Sequence, residues 1–418
     1  MKDTNNIITA PQVETGVDEF TLVLQPSVLG SALEWPIKAE AIIAEFKSKS
    51  KIEEVFEKME ACNDKLMKGY NCGYRLTSRP YYLCICYHGS HQNMGICVKF
   101  SATCYAIYKR EFLAHYGETM NVAKFLRMVE SDNYRQNLSR IDFTADYFNF
   151  EDSFFANQYI HPHLIYTNIL NKSLAIVDCH GKENIKVHSA LNKNGTFETV
   201  YIGSRKANTN SFMRIYDKKT EQIENQGCYA KLAYDVKSWI RFEAVYKGIY
   251  SKQICKALME DASIQTDQDV RCFAAGKILE KYMFQIRRKS VMTDFTDALI
   301  QILSGQKYQL MISPSARDNA LSRSLLYLYK NSGLMSTLAK VEYIYPGIDA
   351  PRMLLNWLED MYYSYYIPGV DNDATNEVYK WVRKHKAELV NEPFDQYLED
   401  VGITIEKEFA HRGGTCHE

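Results

Sequence analysis

The stretch FETVYIGSRKANTNSFMRIYDKK, Phe197 to Lys219, holds two alternating runs, FETVYIGS and SFMRIYDK, joined by the polar connector RKANTN. Alternation at period two marks β-strands and sends every second side chain to one face. In the second run Phe212, Arg214, Tyr216 and Lys218 share a face, while Met213 and Ile215 point the other way. A tyrosine hydroxyl flanked by arginine and lysine is expected to sit in a positive field, which attracts phosphate and favours the phenolate. The chain has 30 tyrosines, so packing is the ordinary fate of any one of them, and spacing alone leaves both roles open for Tyr216. The connector adds Arg205 and Lys206, with Asn208, Thr209 and Asn210 as turn formers.

Two further strands flank this hairpin in sequence. In LSRIDFTADYF (Leu138 to Phe148), Arg140, Asp142, Thr144 and Asp146 lie on one face, with Ile141, Phe143, Ala145 and Tyr147 on the other. A central strand carries two carboxylates on a face only when a cation or a base pairs them; an edge strand with one wet face is the alternative. In WIRFEAVYK (Trp239 to Lys247), Trp239, Arg241, Glu243 and Val245 share a face. An arginine and a glutamate two apart are usually a surface pair of small energetic value, but the aromatic and apolar neighbours here favour a buried role. Near the N-terminus DEFTLVL (Asp18 to Leu24) alternates as well, and Asp18 could cap a turn or face the site.

The rest of the chain bounds the class. Its 418 residues are enough for two or three domains. There is no long apolar run to span a membrane and no apolar signal core at the N-terminus, so a cytoplasmic protein is expected. Eleven cysteines without a CxxC pair read as reduced thiols rather than a disulfide framework or a zinc site. His161-Pro-His163 has the spacing of a paired-histidine metal site, but proline cannot donate to a strand ladder, so a turn is expected there. No phosphate-binding GxxxxGK[ST] loop is present. A net charge of −1 argues against a protein that coats nucleic acid, though not against a local basic groove; Arg205, Lys206, Arg214, Lys218 and Lys219 form one local concentration and Arg287, Arg288 and Lys289 another.

The order of elements gives an α+β class: a largely antiparallel central sheet with flanking helices, followed by a mainly helical C-terminal domain. Strands are expected over residues 70–87 and 95–101 and helices over 37–63, 102–115, 122–132 and 163–171. From Ser251 the spacing becomes helical and stays so, with DASIQTDQD (Asp261 to Asp269) as the linker. The expected division is a flexible leader over 1–17, a catalytic domain over 18–260, a helical domain over 270–400 and a tail over 401–418.

Taken together, SRIDFTAD (Ser139 to Asp146), ETVYIGSR (Glu198 to Arg205), FMRIYDKKTEQ (Phe212 to Gln222) and WIRFEAVYK resemble, in order and spacing, the replication initiation factor family of rolling-circle plasmid initiators and related relaxases of integrative conjugative elements. The resemblance is strongest over residues 135–250. It implies a rolling-circle nuclease-like fold and a site-specific DNA strand transferase. Tyr216 would attack a phosphodiester in single-stranded or extruded hairpin DNA at an origin and remain joined to the 5′ phosphate. Mg²⁺ or Mn²⁺ would be held by Asp142 and Glu243, with Glu198 as a weaker third ligand. Arg214 would favour the phenolate and Arg241 would offset charge on the phosphate. Arg205, Lys206, Lys218 and Lys219 would hold the DNA backbone. A helicase and a second copy of the chain are further expected partners. The competing expectation is an origin-binding protein without chemistry that recruits a helicase or transfer machinery.

Overall fold

A long N-terminal strand, β1 (Gln12–Pro26), runs through the middle of a ten-stranded sheet. The computed structural model describes residues 10–303 apart from 29–30, 32, 65, 77–81, 151–159, 180, 184–185, 192–196, 207–208 and 289–290. It also describes 333–365 and positions 321, 325, 328, 378, 379, 382 and 398. The chain divides into two compact units, residues 1–312 and 313–418.

After β1 come helix α1 (Trp35–Ser50), the short α2 (Ile52–Val55), and strands β2 (Glu60–Ala61), β3 (Cys72–Arg75), β4 (Leu83–Tyr87) and β5 (Ile96–Phe100). Helices α3 (Ala102–Tyr116) and α4 (Val122–Met128) lead to β6 (Tyr134–Phe148), then α5 (Pro162–Leu170) and β7 (Leu174–Val177). Next are β8 (Val187–Leu191), β9 (Phe197–Ile202), β10 (Ser211–Asp217), α6 (Lys218–Glu224), α7 (Ala230–Asp235) and β11 (Trp239–Lys247). Helices α8 (Gly248–Glu260) and α9 (Asp267–Lys281), strands β12 (Met283–Ile286) and β13 (Val291–Met292), and α10 (Asp294–Ile302) close the first unit. The large sheet runs β2-β3-β4-β5-β1-β6-β11-β10-β9-β8, with every pairing antiparallel. The α+β class with a large antiparallel sheet is thus present, and the four sequence blocks fall on β6, β9, β10 and β11.

The alternation seen in those blocks is the packing pattern. Ile141, Phe143, Val200, Ile202, Met213, Ile215, Phe242, Ala244 and Tyr246 enter one continuous core, joined by Phe273, Ala274 and Ile278 of α9 and Ile254 and Leu258 of α8. The opposite face of the same strands carries the charges. His161 is the N-cap of α5, with Pro162 in its first turn, so the histidine pair lies at a helix start, where a turn is expected from the sequence, and not on a strand. Every cysteine among the described residues is free.

Four expectations need correction. The leader is shorter than 17 residues, because β1 begins at Gln12 and pairs with β6 from there; residues 1–9 lie outside the described set. The segment from Asp261 to Asp269 is not a linker. Ile264 is in the core, and Arg127 on α4 donates to the carbonyls of Met259, Asp261 and Ile264 at 3.2, 2.8 and 2.8 Å. The polar residues there are caps: Thr266 and Asp269 form a capping box for α9. A boundary between 260 and 270 therefore falls inside the first unit, which runs to 312. Finally, the chain after Ser251 is not wholly helical, since β12 pairs with β13 and with β7 in a small second sheet. In the second unit, helices Leu334–Ile344 and Ala350–Tyr365 lie on the expected helical stretches and touch each other. The expected tail over 401–418, and most of the helix expected after residue 375, lie outside the described residues.

Because Arg127 holds three carbonyls with a charged donor, Arg127→Met is expected to lower stability by about 2 kcal/mol. The midpoint of urea unfolding checks this, and an unchanged midpoint would show that the turn holds itself.

Candidate active site

Three neighbouring strands, β6, β11 and β10, build the site through their register. On β10 and β11, Arg214 stands opposite Glu243 and Tyr216 opposite Arg241. On β11 and β6, Arg241 stands opposite Asp146 and Glu243 opposite Thr144, with Asp142 one diagonal away. Alternation thus lays the charged residues of three strands side by side on the face away from the core.

Tyr216 donates its hydroxyl to Glu243 Oε2 at 3.2 Å. Arg214 Nη2 forms an ion pair with Glu243 Oε1, though without an aligned hydrogen bond, and lies 3.9 Å from Asp142 Oδ2. Arg140 grips Asp142 with both ends of its guanidinium, at 2.8 and 2.5 Å. Asp142 and Glu243 are each 0% exposed. Burial pushes the Asp142 carboxyl well above the ordinary carboxylate range; Arg140 pulls it back, and the neighbouring Glu243 charge adds to the rise.

A second network lies beside the first. Arg241, itself buried, donates from Nε and Nη2 to Asp146 at 2.7 and 2.8 Å and from Nη1 to Asp18 at 2.6 Å. Trp239 Nε1 donates to Asp146 at 2.7 Å. Asp18 reaches the site because β1 carries a bulge. Between Val17↔Phe143 and Phe20↔Ile141, β1 spends two residues, Asp18 and Glu19, where β6 spends one. Both carboxylates then serve the charged face: Glu19 pairs with Arg140 at 3.1 Å and with Lys99 at 3.2 Å. Of the two roles the sequence leaves open for Asp18, the structure has it facing the site, while Glu19 is hidden from a period-two reading of DEFTLVL by the bulge.

Tyr216 opens into a cavity of about 830 Å³ whose wall includes Tyr201, Arg214, Tyr229, Arg241 and Asp146. Neither Asp142 nor Glu243 lines it. The positive field expected around Tyr216 is not what the structure provides. Burial raises the phenol well above its ordinary range and the charge of Glu243 adds to this, outweighing Arg241 and Arg214. Arg214 is already neutralised by Glu243, and Lys218, the first residue of α6, is paired with Glu221 at 2.8 Å. Lys219 donates to the carbonyls of Val236 and Lys237 at 2.7 and 3.2 Å. Arg241, expected to offset phosphate charge, is saturated by two aspartates. Arg205 and Lys206 are exposed beside the β9–β10 connection. The side chain of Glu198 lies outside the described residues, and no group of three or more His, Cys, Asp or Glu fit to hold a metal occurs among those described.

Asp142 and Glu243 nevertheless suit a hard divalent cation. Both offer oxygen donors, the charge of Glu243 raises the proton affinity of Asp142, and Glu243 Oε1 lacks an aligned hydrogen bond. Magnesium is commonly held by one or two carboxylates together with substrate phosphates, so two protein ligands suffice.

Comparison with known proteins bears on what this arrangement serves. Residues 136–311 match the replication initiation factor family. It is the family that the four sequence blocks resemble, and the matched span contains all of them. The match to the replication initiation factors begins in β6 and ends at the close of the first unit, leaving β1 with Asp18 and Glu19 outside it. Among solved structures, a rolling circle replication initiator protein from Geobacillus stearothermophilus aligns with a TM-score of 0.45 and 14% sequence identity, over 71% of this chain and 100% of that one. No curated protein matches the chain. No helix among the described residues is long and apolar enough to cross a membrane.

Proposed function

We propose that the protein initiates replication or transfer of a mobile element by nicking and rejoining one DNA strand at an origin through a 5′-phosphotyrosine. The observation that carries this is the hydrogen bond from Tyr216 to Glu243, itself held by Arg214, at the edge of a cavity open to a polymer. A tyrosine has an ordinary pKa of about 10, and burial here raises it further, so attack needs a base rather than a preformed phenolate. Glu243 lies within reach of the proton to be removed.

Tyr216 transfers its proton to Glu243 as its oxygen bonds to phosphorus, and the bond from phosphorus to the 3′ oxygen breaks. The departing oxygen takes a proton from solvent water and leaves as a 3′ hydroxyl. Rejoining is the reverse, with the 3′ hydroxyl displacing Tyr216, and needs no ATP because the phosphodiester energy is kept in the ester. Arg214, which lines the cavity, accompanies the charge that builds on the phosphate. Arg241, locked by Asp146 and Asp18, fixes the floor on which Tyr216 stands. Mg²⁺ or Mn²⁺ held by Asp142 and Glu243 would supply Lewis-acid charge to the same phosphate.

The substrate is single-stranded or extruded hairpin DNA. A helicase would extend the nick, and a second copy of the chain would provide another nucleophile for a second cut. An origin-binding protein without chemistry is the competing reading, and it would form no Tyr216 ester. The test is incubation with a single-stranded origin oligonucleotide and Mg²⁺, with mass spectrometry of any adduct; absence of a Tyr216 ester across candidate origins would defeat the reading.

Arg205 and Lys206 are exposed next to the site, where they hold phosphates without reading bases. The double change Arg205→Ala, Lys206→Ala is expected to weaken binding to origin and non-origin strands alike and to lower the slope of log affinity against log salt by roughly one unit. Fluorescence anisotropy over a salt series measures it, and an unchanged slope would make the two side chains mere turn solvation.

A further inference from the structure

The sheet face beside Tyr216 carries two aromatic rings that the chemistry above does not use. Tyr201 and Phe212 are both part-exposed, and each has a cation over its ring. The Arg205 guanidinium lies 4.2 Å from the Tyr201 ring centroid and Lys247 Nζ lies 5.4 Å from that of Phe212. Their neighbours Val200, Ile202 and Met213 are in the core, so alternation places both rings on the face that holds Arg214 and Tyr216. Tyr201 stands opposite Arg214 across the β9–β10 pairing, which makes Phe212 its diagonal neighbour. Lys247 Nζ also donates to the carbonyl of Lys206 at 3.1 Å, tying the end of β11 to the connector that bears Arg205.

The cations of the two networks are used up by carboxylates: Arg214 by Glu243, Arg140 by Asp142 and Glu19, Lys218 by Glu221. Among the described residues neither Arg205 nor Lys247 has such a partner. A part-exposed ring with an unneutralised cation above it is what binds an unpaired base next to its phosphate, because every base has a π-face and every linkage a negative charge.

We propose that Tyr201 with Arg205 and Phe212 with Lys247 form two stacking stations for successive unpaired bases of a DNA strand, on the side of Tyr216 that leads past Arg214. The inference rests on the nicking reading for its substrate. It makes the site selective for unpaired DNA, since a duplex keeps its base faces stacked on one another.

The test uses the full chain and an oligonucleotide with single 2-aminopurine substitutions walked across the scissile position. Emission of this base falls when it stacks on an aromatic ring. In the wild-type protein two adjacent positions on one side of the nick are expected to be quenched on binding. Tyr201→Leu and Phe212→Leu keep bulk and apolar character but remove the ring. Each is expected to lose quenching at one of the two positions and to weaken single-strand binding about tenfold. The salt slope should stay as in wild type, since no phosphate contact is removed. Tyr201→Phe and Phe212→Tyr should bind as wild type. Uniform quenching along the strand, or Leu variants that bind like wild type, would overturn the proposal. A protein that quenches two positions but forms no Tyr216 ester would defeat the nicking reading and leave this one standing.

Discussion

Tyr216→Phe is expected to abolish covalent attachment to single-stranded origin DNA while leaving its affinity nearly unchanged. The change removes one oxygen and no ring contact. The phenol's hydrogen bond to Glu243 is lost, but Glu243 keeps its ion pair with Arg214, so no carboxylate is left without a counter-charge. The check is denaturing electrophoresis of protein mixed with end-labelled oligonucleotide, beside an anisotropy titration of the same pair. If the Phe variant still forms adducts, the nucleophile is another tyrosine. Tyr229 would be the first to examine, since it lines the same cavity, with burial pushing its phenol up to about 12.

Glu243→Gln is expected to slow attachment by roughly 10²–10⁴-fold, the usual contribution of a positioned base. The glutamine keeps the shape but cannot take the proton, and it leaves Arg214 without its full partner. Asp142→Asn should also slow cleavage in Mg²⁺ or Mn²⁺, but it removes a charged oxygen ligand alone, where Glu243→Gln removes a ligand and the base together. The two roles separate on a cation titration. Higher Mn²⁺ should restore much of the activity of the Asp142 variant and little of that of the Glu243 variant. Removing one partner of a buried charge pair can cost about 3–5 kcal/mol, so single-turnover rates must be compared at a temperature where thermal melts show both variants folded. A Glu243→Gln protein that cleaves at the wild-type rate would remove Glu243 from the mechanism.

The alternation of four short blocks carried most of the site. It placed Arg214, Tyr216, Arg241, Asp142, Asp146 and Glu243 on one face, and the sheet brings these residues together. What it could not carry is cancellation of charge between strands. Arg214 beside Tyr216 reads as a positive field along one strand, yet the neighbouring strand supplies Glu243 opposite that arginine, and burial together with that carboxylate raises the phenol despite the arginines. Spacing alone leaves Asp18 between a cap and the site and hides Glu19, because one extra residue in β1 turns two consecutive acids toward the same face. The boundary near residue 265 was misplaced because Thr266 and Asp269, polar residues that resemble a linker, cap a helix whose apolar side enters the core. Strands β7, β12 and β13 have at most four residues each, too few for a period to declare itself against helical surroundings.

The central position of β1 has a consequence for biosynthesis. Its partner β6 is made more than a hundred residues later, and the far side of β6 is completed by β11 later still. At about 5–20 residues per second, translation leaves β1 without that neighbour for on the order of ten seconds. During this interval it can pair with β5 along Phe20–Leu24, while the edge that will receive β6 remains unsatisfied. The first strand to leave the ribosome thus keeps one edge open until β6 is made, and that edge is where the nascent chain is most exposed to pairing with another copy of itself.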